Sequence, residues 1–256
     1  VSWQGLSPRR RMLFAVVAVV IVALGAVVVA RLWPASPTAV APDRPGTVLL
    51  VPGFGGDRTS LEPLADRIRQ DGRRAEVLTL PGDGTGDLLQ QVSVLDDAVD
   101  DALSGGSSSV DIVGYSAGGV VARLWVANDH GADKVKRVIT LGSPLHGTQL
   151  AAAGGALAPG ACPTACQQLA PGSPVLAPVA GAAGLPWVSI WTEDDQTVTP
   201  PDSARLPGAV NVPLQQVCPG ARVSHEQLPT DPRVIGLVVE GLAGDAPTGC
   251  PGAGAR

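Results

Sequence analysis

Phenylalanine, tyrosine and lysine are close to absent from this 256-residue chain, which has two phenylalanines and one tyrosine beside five tryptophans, and lysine only at Lys134 and Lys136. With so few rings, the core has to be assembled from Val, Leu, Ile and Ala. The formal charge of −5 leaves no basic stripe to neutralise phosphates, which excludes nucleic acid as a partner. Histidine is scarce as well, and the three present are His130, His146 and His225. None lies near Cys162 or Cys166, so a Cys/His metal site there is excluded and no metal is expected. Cysteine is missing from the first 161 residues, and the four that follow are Cys162, Cys166, Cys218 and Cys250. An even count in an exported chain reads as two disulfides. Of the three pairings possible, Cys162–Cys166 with Cys218–Cys250 is preferred. The first closes a short loop containing Pro163, and the second ties the C-terminal tail to the domain.

What the chain does have begins with three arginines, Arg9 to Arg11, ahead of an uncharged apolar run over residues 12–30. A helix of that length, rising 1.5 Å per residue, crosses most of a bilayer core about 30 Å thick. The reading is a basic cytoplasmic segment (1–11), a transmembrane signal-anchor (12–30) and a Pro-rich linker (31–46). A signal peptide cleaved after Ala39-Val40-Ala41 and a twin-arginine signal are the alternatives. Each of them puts the remaining chain outside the cytoplasm, either on the cell membrane or secreted.

Strand and helix patterns alternate from residue 47 onward. Apolar runs at 47–51, 76–80, 110–113, 135–141, 187–191 and 209–214 read as strands. Helical spacing appears at 61–71, 88–103 and 117–128. A last helix starts behind the N-cap Asp231 with Pro232 at its first position and runs to about Leu242. This order predicts an α/β domain over 47–243, a mostly parallel sheet with helices on both faces, followed by a tail at 244–256.

The sharpest chemical signal is Gly114-Tyr115-Ser116-Ala117-Gly118. Alone it is weak in a chain with 32 glycines, but a strand precedes it and an amphipathic helix follows it. That context fits a tight strand-to-helix turn presenting Ser116 as a nucleophile, with Gly114 and Gly118 bare because side chains there would collide with neighbouring elements. A serine hydroxyl needs a base. His130 falls at the far end of the following helix, four turns from Ser116. His146 lies in a loop after the strand at 135–141. His225 follows the last strand, where a base at the strand C-termini belongs, and is the preferred choice. The acid that orients the base comes from Glu193, Asp194 or Asp195, which position alone does not separate. Backbone N–H groups of Ala117 and of Phe54, in the glycine-rich loop after the first strand, are the expected oxyanion donors. No Lys-Ser/Thr pair follows that loop, so it is not a P-loop.

Together these segments resemble the bacterial lipase/esterase branch of the α/β-hydrolase superfamily over about residues 47 to 242. Val51-Pro52-Gly53-Phe54-Gly55-Gly56 is similar to its oxyanion segment, with Pro52 in place of a usual histidine. Residues 141–148 are similar to its Gly-Ser-Pro-His-x-Gly-Thr segment, with Leu145 inserted before His146. The resemblance implies a structural role for His146, and its Asp-x-x-Val-x-Pro pattern puts the acid at Asp195. It also implies a lid over 147–186, for which an ordinary surface excursion is the competing reading. The implied activity is cofactor-free cleavage of a carboxylic ester or lipid through an acyl-enzyme on Ser116. An acyltransferase or thioesterase with the same triad, and a non-catalytic binding protein of the same fold, are the alternatives. No obligate protein partner is readable.

Overall fold

The structure is a computed structural model, and it describes residues 46–128, 131–177 and 184–252. The expected cytoplasmic segment, membrane anchor and nearly all of the linker lie outside the described residues, as does His130. Among the described residues, no helix is long and apolar enough to cross a membrane.

Six parallel strands form one sheet in the order β2-β1-β3-β4-β5-β6. They are β1 (Thr47–Val51), β2 (Ala75–Val77), β3 (Val110–Tyr115), β4 (Val135–Leu141), β5 (Trp187–Trp191) and β6 (Val210–Pro213). Among the described residues, eight α-helices punctuate them: α1 (Glu62–Gln70), α2 (Leu88–Ser104), α3 (Ala117–Asn128), α4 (Gly131–Lys134), α5 (Gln149–Leu157), α6 (Thr164–Gln168), α7 (Leu214–Val217) and α8 (Pro232–Ala243). The strands are apolar on both sides because helices cover both faces. Along β1, Val48 and Leu50 face α1 and α8, while Leu49 and Val51 face α2 and α3. The same alternation continues at Ile112/Val113 and Val138/Ile139. Each of these side chains is fully buried, which stabilises the fold by about 1.5–3 kcal/mol apiece.

Strand ends differ from the sequence pattern for identifiable reasons. β2 leaves the ladder after Val77 although the chain stays apolar through Leu80. Leu78 N–H still donates to Leu50 O at 2.9 Å, but the next rung would need an N–H from Pro52, which has none. β3 instead runs two residues past Val113, because Gly114 and Tyr115 pair with Thr140 and Leu141. The register Val51↔Gly114, Tyr115↔Leu141 and Trp191↔Pro213 therefore brings the strand C-termini to one edge.

At the opposite edge sits a buried charge group. Asp111, 1% exposed, is ion-paired with both Arg73 and Arg137. Arg73 also donates to Gly46 O at 2.9 Å. Arg137 donates to Gly241 O at 3.0 Å and to Leu242 O, so one guanidinium satisfies carbonyls in the last turn of α8.

The 147–186 interval carries α5 and α6, its residues 178–183 lying outside the description. Cys162 and Cys166 are disulfide-bonded within it. Gln168 fastens it to the N-terminus of α2, accepting from Leu88 N–H at 2.8 Å and donating to Asp87 Oδ1 at 2.7 Å. The second disulfide, Cys218–Cys250, brings the tail back to the domain, where Pro251 packs against the bare Cα of Gly236 in α8.

Candidate active site

The turn from β3 into α3 places Ser116 with φ +52°, the one positive φ outside glycine among the described residues. That backbone region costs an L-residue about 1–2 kcal/mol, and surrounding structure has to hold it there. Ser116 N–H donates to Leu141 O at 2.8 Å, pinning the turn to β4. The glycines make room. A Cβ on Gly114 would lie 2.5 Å from Gly119 Cα, and one on Gly118 would lie 2.2 Å from Val51 O. Gly119 is just as constrained, since a Cβ there would meet Ser143 Oγ at 2.0 Å. The pentapeptide does not include that third glycine, and only the packing of β4 beside the turn reveals the need for it.

The structure brings Ser116, His225 and Asp195 together. His225 Nε2 is 2.9 Å from Ser116 Oγ, and His225 Nδ1 is 2.7 Å from Asp195 Oδ2. A carboxylate only accepts, so Nδ1 carries the imidazole proton and Nε2 is left as the acceptor for the serine hydroxyl. All three side chains are buried. The other Asp195 oxygen accepts from the backbone N–H groups of Thr197 (2.9 Å) and Val198 (2.8 Å), which fixes the carboxylate's orientation. Its neighbours point elsewhere. Asp194 pairs with Arg222 at 3.1 Å, and Glu193 is exposed.

His225 opens a short 3-10 turn after β6. Tyr115 donates its hydroxyl to His225 O at 3.2 Å, with the two rings 5.2 Å apart. Burial, reinforced by nearby Glu226 and Asp195, pushes the Tyr115 phenol above its ordinary value, so it remains a protonated donor. Glu226 is held below the usual carboxylate range by its own backbone N–H and the Ser224 hydroxyl. Gly142, with φ +53°, closes the back of the site. A Cβ there would lie 2.6 Å from Leu228 Cδ1, 3.2 Å from His225 Nδ1 and 3.3 Å from Asp195 Oδ2. Gly142 falls in the Gly-Ser-Pro-His-x-Gly-Thr-like segment, but that resemblance gives it no role, since a glycine after a strand looks like any turn.

His146 is not part of this cluster. It is exposed, and both its backbone N–H (3.2 Å) and its ring Nδ1 (3.1 Å) reach Ser203 O. It lines a separate cleft of about 460 Å³ with Gln149, Asp202 and Arg205. Of the two expected oxyanion donors, Ala117 is buried at the first position of α3, whereas Phe54 is 45% exposed. Neither backbone N–H donates to another group among the described residues, so both remain open to a ligand. Gly53 keeps the Phe54 loop close to Ser116, since a Cβ on it would lie 3.0 Å from Ser116 Cβ. Among the described residues no group of three or more His, Cys, Asp or Glu could hold a metal ion.

Comparison with known proteins places this geometry in context. Residues 82–157 match the PGAP1-like alpha/beta domain family. No curated protein matches the chain by sequence. Among solved structures, Aspergillus fumigatus lipase B superposes with a TM-score of 0.63 at 22% identity, over 79% of this chain and 54% of that one. The chain thus spans about half the length of that lipase. The mature form of Bacillus licheniformis lipase BlEst2 gives 0.60 at 17% identity, covering 81% and 96% of the two chains. A structure from a study of the metagenome-derived lipolytic enzymes LipS and LipT gives 0.62 at 16%, covering 78% and 94%. These likenesses show the fold: the chain has the parallel-sheet α/β-hydrolase architecture, and it resembles lipases and esterases of that fold.

Proposed function

We propose that this α/β-hydrolase-fold chain is a serine hydrolase that cleaves carboxylic esters through an acyl-enzyme on Ser116, with His225 as base and Asp195 as acid. The observation that carries the reading is the unbroken relay Ser116 Oγ–His225 Nε2 and His225 Nδ1–Asp195 Oδ2, at 2.9 and 2.7 Å, beneath a serine held at φ +52°. Ser116 Oγ attacks the ester carbonyl carbon while its proton passes to His225 Nε2. Asp195 stays ionised and stabilises the resulting imidazolium. Negative charge collects on the former carbonyl oxygen, where the N–H groups of Phe54 and Ala117 receive it. Collapse breaks the ester C–O bond, and the leaving alcohol takes the proton from Nε2. A water molecule then gives its proton to the same nitrogen, attacks the acyl carbon and releases the acid. Ser116 recovers its proton as it departs.

The lipases and lipolytic enzymes that share the fold support ester or lipid substrates. A graded series of p-nitrophenyl esters tests the reading on purified protein. Hydrolysis should be measurable for at least one acyl length and lost in Ser116→Ala. Equal turnover by the two proteins would refute it.

The proposal extends to location: the domain works outside the cytoplasm, tethered through residues 12–30 with the linker holding it off the lipid. The charge-free run behind Arg9 to Arg11 and the two disulfides support this. N-terminal sequencing of the mature protein from cells tests it. Chains recovered from the medium and starting at Pro42 would replace the tether with a cleaved signal.

A further inference from the structure

We infer that Thr148 is a positioning residue for the proposed triad: its hydroxyl locks the loop that carries Asp195 and so keeps the carboxylate aimed at His225. This rests on the triad reading above but adds a residue that the reading does not use. Asp195 belongs to a tight loop whose shape is set by its own Oδ1, which accepts from the N–H groups of Thr197 and Val198. Those two bonds hold the carboxylate only as well as the loop itself is held.

Nothing in β5 extends far enough to hold it, since the strand ends at Trp191. The restraint comes from across the site. Thr148 Oγ1 donates to Thr197 O at 2.8 Å and accepts from Thr199 N–H at 3.0 Å, bracketing Val198 from both sides. The same oxygen accepts a longer bond, 3.4 Å, from Leu150 N–H as the N-cap of α5. One donor and two acceptor sites are thereby all in use. Thr148 is itself immobilised: it is 6% exposed, and its backbone N–H donates to Leu169 O at 2.9 Å. Next to it, Gln149 N–H donates to Thr199 O at 2.8 Å, and His146 N–H to Ser203 O at 3.2 Å. The stretch from His146 to Gln149 thus lies zipped against the Asp195 loop, with the Thr148 hydroxyl as its central tie. Without that hydroxyl, Thr197 O and Thr199 N–H lose their partner and the loop is free to shift. A displacement of about 1 Å in a catalytic group can cost on the order of a hundredfold in rate.

The test uses the intact protein and two independent readouts. The first needs no substrate: the downfield proton NMR resonance of the His225 Nδ1–H, identified by its loss in Asp195→Asn. In Thr148→Val it should broaden or vanish as the carboxylate moves and water exchanges the proton. In Thr148→Ser, which keeps the hydroxyl, it should persist. Thr148→Ala repeats the experiment without setting a methyl against two polar groups, should the valine variant not fold. The second is ester hydrolysis, in which kcat should fall between about tenfold and about a hundredfold in Val or Ala with KM little changed, and recover in Ser. An unaltered resonance in Val and Ala, accompanied only by a lower melting temperature, would make Thr148 merely structural and overturn the inference. Failure of Ser to restore the signal would overturn it too. A wild-type protein that shows the resonance but hydrolyses no ester would count against the esterase reading and leave this one standing.

Discussion

Adding a single methyl group at Gly142 tests the geometry of the site and its coupling to stability together. The Gly142→Ala substitution forces alanine to φ +53°, which costs about 1–2 kcal/mol. It also drives the new Cβ to 2.6 Å from Leu228 Cδ1, 3.2 Å from His225 Nδ1 and 3.3 Å from Asp195 Oδ2. The first contact cannot persist, and overpacking of this kind adds about 1–3 kcal/mol. The total is about 2–5 kcal/mol, or a melting temperature lower by about 4–20 °C in a domain of this size. Gly82 supplies the control. Its φ is +60°, yet a Cβ there meets nothing within 4 Å, so Gly82→Ala carries the backbone cost alone. Urea titrations of both variants, with disulfides intact, isolate the steric part by difference. Ester hydrolysis should be normal in Gly82→Ala and at least about a hundredfold lower in Gly142→Ala, because the methyl pushes against the very atoms that join His225 to Asp195. If Gly142→Ala matched Gly82→Ala in stability and retained wild-type turnover, the close packing of Gly142 on the His–Asp pair would be refuted.

Other substitutions separate the site from the scaffold. His225→Ala should lower ester hydrolysis by several orders of magnitude while His146→Ala costs far less, since His146 contacts Ser203 and not Ser116; the reverse ranking in steady-state assays would reassign the base. Asp111→Asn strips two buried arginines of their counter-charge and should cost about 3–5 kcal/mol by denaturant titration, without changing kcat at the opposite end of the sheet. A stability loss below about 1 kcal/mol would contradict a buried charge group there. Asp231 caps α8 and is held below the ordinary carboxylate range chiefly by the Arg233 side chain. Its folded-state value is depressed, so its contribution is complete above the unfolded value, about 3.9, and is lost as pH falls through the lower folded one. Wild type should therefore exceed Asp231→Ala by about 0.5–2 kcal/mol at pH 7, with the gap closing in acid; a gap that stays constant to pH 2 would point to a cause other than the charge.

Much of this arrangement was legible in the chain because local signals and tertiary packing agree there. Val-rich runs between helical spacings announced a parallel sheet, and Asp231-Pro232 marked the start of α8 to the residue. Where the reading fell short, the missing information was a neighbour in space. β2 looked longer than it is because the cause of its early end, Pro52, lies just past the end of a different strand, β1. β3 looked shorter because Gly114 reads as a turn residue until β4 is seen pairing with it. At the site, serine and base positions followed from their order along the sheet, but Glu193, Asp194 and Asp195 are sequence neighbours with similar chemistry. Position did not separate them, and the Asp-x-x-Val-x-Pro pattern pointed to Asp195; in space they differ in burial and partner: Arg222 for Asp194, His225 for Asp195, solvent for Glu193. Gly119 drew no notice, and the segment resemblance that takes in Gly142 and Thr148 gave neither a role, for a related reason. Each earns its place through contacts with segments at least twenty residues away in the chain, which no local pattern encodes.

The central claim is that Ser116 is a nucleophile activated by His225, and covalent labelling reads that property without a choice of substrate. Purified protein treated with a fluorophosphonate should gain one adduct by intact mass, mapped by peptide fragmentation to Ser116. The adduct should be absent in Ser116→Ala and formed far more slowly in His225→Ala. No adduct on folded wild-type protein, or an adduct on another serine at the same rate in all three proteins, would contradict the claim.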